Sequence, residues 1–149
     1  MTKAMGPIPP DFTDRDGMLM LGGRSAADLI AEAGGTPLFV YDAAIIGRRI
    51  ARFRQAFGAS VHLHYAMKAN PCPQLLNWIA KKVDGIDVAS AGEMRAALSA
   101  GADPGHISFA GPGKRDAELE AAIAAGATIN LESEGEAERA IALGSRIGR

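Results

Sequence analysis

The chain of 149 residues carries 16 Lys+Arg against 17 Asp+Glu, a formal charge of −1, with 48% apolar residues and one cysteine, Cys72. That balance excludes a general nucleic-acid-binding surface, because neutralising phosphates takes an excess of cations. A single cysteine excludes an intrachain disulfide framework, no run reaches the roughly 18 apolar residues of a membrane span, and the opening MTKAMGPIPPDFTDRDG lacks the apolar core of a secretory signal. A soluble α/β chain of a reducing compartment, the cytoplasm, is the expectation, with no nucleic acid and no membrane as partner.

In chain order, residues 1–24, with Pro7, Pro9, Pro10 and the Gly22-Gly23 pair, read as an irregular leader. Ser25 is placed to cap a helix over AADLIAEA that stops at Gly34-Gly35. After Pro37, the run LFVY at 38–41 reads as a short strand. Asp42 then caps a helix whose apolar stripe is Ile45, Ile46, Ile50, Phe53 and Phe57, with Arg48, Arg49, Arg52 and Arg54 on the solvated side.

From Ser60 the chain becomes periodic. Strand-like runs at 61–67, 85–89, 106–110 and 128–132 start 21 to 24 residues apart, and helical stretches at 72–82, 91–101, 114–125 and 133–144 follow them. Gly101, Gly126 and Gly144 stand where glycine closes a helix. Strand and helix alternating at a near-constant step predict βα units on a parallel sheet. Each strand offers one bulky face (Val61, Leu63, Tyr65, Met67; Ile86, Val88; Ile107, Phe109; Ile129, Leu131) and one small or polar face. A doubly wound sheet needs both faces apolar, so the pattern fits the inside of a β/α barrel, whose sites lie at the strand C-termini. Four units are half of such a barrel, which takes roughly 250 residues. The expectation is an N-terminal part of a longer protein, residues 1–42 forming a leader and a strand and 43–149 the first four βα units. A half-barrel that dimerises is the alternative.

The segment HLHYAMKANP at 62–71 carries the chemistry. Lys68 falls at the last lumen-facing position of its strand, where partial desolvation frees an amine lone pair for attack on an aldehyde. Ala66, on the same face, leaves room for a flat ring. Asp87 ends the next strand on that face, and an acid inside a barrel must be paired, with Lys68 the nearest cation by topology. Ser90 and Glu93 have capping-box spacing, so Glu93 is either a cap or a chemical group. Gly111 and Gly113 read as an ordinary turn rather than an anion cradle, and Lys114 beside them reads as solvated. His62 and His64 share a face without an evident third metal ligand, and Cys72 has no identifiable base. No metal site is expected.

HYAMKANP, GIDVASAGE, ISFAGPGKRDAEL and INLESEGE, in this order, resemble the fold-type III pyridoxal-phosphate decarboxylases, which act on diaminopimelate, ornithine and arginine. The resemblance covers residues 36–149, and its wording is most similar to the subgroup encoded with exosortase A systems. It implies the first half of a (β/α)8 barrel of the alanine-racemase type, preceded by a leader and by a strand at 36–41 belonging to a second, β-rich domain. Lys68 matches the lysine that holds pyridoxal 5'-phosphate as a Schiff base, Ala66 and Asp87 match positions lining the cofactor, and Glu93 matches an acid near it. The implied activity is decarboxylation of an α-amino acid by a homodimer. An amino-acid racemase on the same barrel and a non-catalytic relative that binds a partner protein are the competing readings. The phosphate loop, the acid on the pyridine nitrogen and the cysteine-aspartate pair from a partner subunit are implied to follow residue 149, leaving this chain alone inactive.

Overall fold

The computed structural model describes residues 11–149. They fall into two units, one ending at Arg52 and one spanning Phe53–Arg149. Pro7, Pro9 and Pro10 lie outside the described residues.

The first unit corrects the irregular leader. β1 (Thr13–Arg15), β2 (Met18–Leu21) and β3 (Arg24–Ser25) form an antiparallel meander, with Arg15 opposite Met18 and Leu21 opposite Arg24. Asp16-Gly17 and Gly22-Gly23 are its two-residue turns, all four with positive φ between 52° and 78°. Such Asp-Gly and Gly-Gly pairs match the twist of a hairpin, a signal that outweighs the neighbouring prolines. α1 (Ala26–Ala33) forms as expected: Ser25 Oγ accepts from Asp28 N, and Gly34 closes the helix in the left-handed region. The predicted strand at 38–41 does not form. A segment becomes a strand only by pairing, and the described sheets contain none beside it; Phe39 is 82% exposed.

α2 (Ala43–Phe57) carries the chain from the first unit into the second, its start capped by Asp42 Oδ1 on the Ala44 N–H at 2.8 Å. Arg54 leaves the solvated side assigned to it: it is half-buried and donates to Asp84 Oδ2 at 2.5 Å.

In the second unit β4 (His64–Ala66), β5 (Gly85–Val88), β6 (Ile107–Phe109) and β7 (Thr128–Ile129) form a parallel sheet in chain order. They alternate with α3 (Pro73–Ile79), α4 (Ala91–Ser99), α5 (Asp116–Ala125) and α6 (Glu134–Ile147). The βα reading holds, but the elements are trimmed. The first strand covers 64–66 rather than 61–67, because Met67–Ala69 turns into a 3₁₀ helix. β7 has a partner on one side only and pairs over two residues. α3 stops at Ile79, and α6 runs through Gly144 to Ile147 before Gly148 closes it at φ 73°. Gly144 is therefore interior to its helix, where a Cβ would fall 2.8 Å from the Arg149 carbonyl.

One face of the sheet is the core. Met67, Ile86, Val88, Ile107 and Phe109 pack with Leu76, Met94, Ala97 and Ala122 from the helices. Burying an aliphatic or aromatic side chain of this size contributes about 2 kcal/mol. The opposite face carries an in-register row, Ala66–Asp87–Ser108–Thr128, small or polar throughout. The covering helices thus leave one sheet face to a site. Among the described residues no helix is long and apolar enough to cross a membrane.

Candidate active site

The row of small and polar residues lies near the C-terminal ends of the strands, where a cleft of about 180 Å³ opens between Ala66, Lys68, Asp87, Glu93, Ser108 and Asn130. Val88, Ala89 and Ala110 complete its lining, so three alanines share the cleft with the lysine.

Lys68 is not the last residue of a strand. It occupies the 3₁₀ turn Met67–Ala69, in which Met67 points into the core at 1% exposure while Lys68 is exposed. The partial desolvation expected of a strand-end position is absent, because Lys68 is exposed in the turn that follows the strand. The turn is braced by Tyr65, whose hydroxyl donates to Asn70 O at 3.0 Å, and by Asn70 Oδ1, which accepts from Cys72 N at 3.0 Å. Among the described residues no ion pair or hydrogen bond engages the Lys68 amine.

Asp87 is paired with an imidazole rather than with Lys68. His64 Nδ1 lies 3.0 Å from Asp87 Oδ1, and both side chains are partly exposed, so Asp87 does not need a buried cation. His64 is thereby committed to Asp87, and no group of three metal-ligating residues occurs among the described residues. Glu93 is a helix cap: Ser90 Oγ accepts its N–H at 3.2 Å and its own Oε2 reaches back to the Ala89 N–H at 2.7 Å, while its side chain also lines the cleft.

Gly111 is part of a turn. Its N–H donates to Glu132 Oε1 at 2.5 Å and is not open to an anion. Lys114 is the clearest reversal: it is 3% exposed, not solvated. Its Nζ donates to Gly111 O and Asn130 O and lies 3.2 Å from Glu136 Oε1. The signal was present in the chain, since ESEGE at 132–136 repeats the pattern of ASAGE at 89–93. Glu136 reaches back to Glu132 N as Glu93 does to Ala89 N, and an acid so buried requires a cation. Ser108 and Asn130 are site residues that motif reading passed over. Asn130 Nδ2 donates to Ser108 Oγ at 2.9 Å across the cleft floor, and strand parity alone places both on the polar face.

The strongest carboxylate shifts lie away from the cleft. Arg54, followed by the Leu63 N–H, lowers Asp84 to about 2. The Ala91 N–H and Arg115 lower Glu118 to about 2. The Glu132 N–H, with Lys114, holds Glu136 below the usual carboxylate range. These acids fasten turns and helix starts, leaving Asp87 and Glu93 at the cleft.

Residues 43–143 match the family model described as the pyridoxal-binding domain of the pyridoxal-dependent decarboxylases. The chain belongs to this family. Among decarboxylase relatives, it is 38% identical over 136 residues to the diaminopimelate decarboxylase of Mycobacterium leprae, covering 91% of this chain and 29% of that one. It is 35% identical over 141 residues to that of Aquifex aeolicus, covering 94% and 33%. Among solved structures, an Aquifex aeolicus protein superposes with a TM-score of 0.86 at 35% identity, over 94% of this chain and 35% of that one. Diaminopimelate decarboxylase from Helicobacter pylori in complex with L-lysine superposes at 0.76 and 31% identity, over 82% and 32%. The chain thus spans about a third of the length of these relatives.

Proposed function

We propose that this chain forms the lysine-bearing part of a pyridoxal 5'-phosphate-dependent decarboxylase acting on an α-amino acid of the diaminopimelate or ornithine kind. Its four parallel strands are the first half of an eight-stranded barrel, and residues 36–41 are left to pair with a second, β-rich domain. The observation that carries this reading is the Lys68 amine, unengaged among the described residues and set beside Ala66, Ala89 and Ala110 at the strand C-termini.

The residues present fit the coenzyme. An aldehyde needs a nucleophilic amine, and a flat pyridine ring needs a shallow wall without bulky side chains. Lys68 supplies the first and the three alanines the second. When bound, pyridoxal phosphate supplies the electron sink for the pair left by a departing carboxylate. Lys68 would hold the coenzyme through its aldehyde group at the mouth of the cleft. Asp87, tethered by His64, presents its carboxylate in the wall, while Glu93 keeps one oxygen on the Ala89 N–H and stands at the rim. Ser108 and Asn130 form a hydrogen-bonded floor.

The relatives named above are diaminopimelate decarboxylases, which favours that substrate class over a racemase reaction. Assignment to the exosortase A-associated subgroup, a homodimeric assembly and a cytoplasmic location belong to the same proposal. Titrating pyridoxal phosphate into the chain tests it. A long-wavelength absorbance band in the wild type that is lost in Lys68→Ala is expected; the same band in both chains would overturn the assignment.

A further inference from the structure

One hydrogen bond beneath the cleft is built with unusual care for space. His64 lies two residues before Ala66 on β4 and therefore on the same face, one row below the Ala66–Asp87–Ser108–Thr128 row. Its register partner is Gly85. A Cβ at Gly85 would fall 2.4 Å from His64 Cε1, 2.6 Å from its Nε2 and 2.4 Å from the His106 carbonyl oxygen. The imidazole thus occupies the space that any side chain at position 85 would need. From that notch its Nδ1 reaches Asp87 Oδ1 at 3.0 Å. An ionised carboxylate only accepts, so Nδ1 carries the proton in this contact. Asp87 Oδ2 has no partner among the described residues and is left for the cleft.

We propose that His64 is a positioning residue for coenzyme binding: the imidazole seated against Gly85 fixes the Asp87 carboxylate in the cleft wall, and the cleft's affinity for pyridoxal phosphate depends on a hydrogen-bond donor at position 64. This rests on the reading of the cleft as the coenzyme site. A carboxylate already held in place loses less freedom when a ligand arrives, and groups that orient a contact residue shape affinity without touching the ligand.

The experiment titrates pyridoxal phosphate into the 149-residue chain and into H64F, H64L and H64N, with circular dichroism to confirm folding. H64F and H64L remove the donor at different bulk, whereas the Asn amide places an N–H near the position of Nδ1. Loss of a hydrogen bond to a charged group predicts a dissociation constant raised about ten-fold in the donor-less variants. H64N is expected to stay close to wild type, a rescue that a purely space-filling role would not give. Equal affinity in wild type and donor-less variants would overturn the proposal, as would a folded H64N as weak as they are. The imidazole nitrogen shifts of the wild type read the same contact without mutation: a proton on Nδ1 is expected, and a neutral ring protonated only at Nε2 overturns it. A wild-type chain that binds no pyridoxal phosphate refutes the cleft reading and this proposal with it, whereas binding indifferent to position 64 refutes this proposal alone.

Discussion

Lys114 Nζ lies 3.2 Å from Glu136 Oε1, with both side chains 1% exposed. The pair ties the turn after β6 to the start of α6. Nζ also carries the carbonyls of Gly111 and Asn130, and Glu136 Oε2 carries the Glu132 N–H. Removing one partner of such a pair leaves a buried charge without compensation. Lys114→Met is therefore expected to destabilise the chain by about 3 kcal/mol, with the double variant K114M/E136L recovering part of the loss. Urea unfolding of the two variants checks this, and a double variant less stable than Lys114→Met alone would contradict it.

Acid should unfold the chain through its tethered carboxylates. Asp84 and Glu118 sit at about 2 when folded, against ordinary values of 3.8 and 4.5. Because the folded values are depressed, the unfolded chain binds more protons in this interval. The stabilisation is full above about pH 4.5 and is lost as pH falls towards 2. Melting temperature measured from pH 7 to pH 2 should fall more steeply in wild type than in Asp84→Asn or Glu118→Gln. Parallel curves would contradict the assignment.

Gly85→Ala tests the notch under the site from the other side. The new Cβ would meet the His106 carbonyl oxygen and the His64 ring, both at 2.4 Å, and that carbonyl belongs to the backbone immediately before β6, which the sheet pairing of Ile107 holds close. Overpacking of this kind predicts a loss of about 2 kcal/mol, read from the urea midpoint. An unchanged midpoint would show that the sheet yields there at no cost.

The architecture was readable in the chain because a parallel βα repeat writes itself into local pattern. Ile86/Val88 and Ile107/Phe109 alternate with Asp87 and Ser108, and the structure buries the first set and leaves the second at the cleft. Helix starts at Ser25, Asp42 and Ser90 were equally legible, since a capping oxygen acts within three residues of itself. What failed depends on partners distant in sequence. LFVY has strand-forming residues and no described strand to pair with. Lys114 has a polar, glycine-flanked context that reads as solvent, and only Glu136, 22 residues later, takes it inside. The Asp87 partner was misjudged for the same reason. Lys68 is near in topology but stands in the 3₁₀ turn after β4, while His64, on β4 itself, lies 3.0 Å from Asp87.

The 149-residue chain by itself is expected to release little CO₂ from diaminopimelate, ornithine or arginine. Its four-stranded sheet leaves the cleft open to water, and the charge stabilisation that decarboxylation requires is strongest where water is excluded. Release of labelled CO₂ measures this. Turnover at an ordinary enzymatic rate would show that the chain already holds a complete site.

Borohydride reduction in the presence of pyridoxal phosphate, followed by peptide mass spectrometry, tests the central claim most directly. The account predicts a single modified lysine, Lys68, with Lys114, Lys81 and Lys82 unlabelled. Label on another lysine with Lys68 unmodified, or equal labelling of Lys68→Ala and wild type, would contradict it.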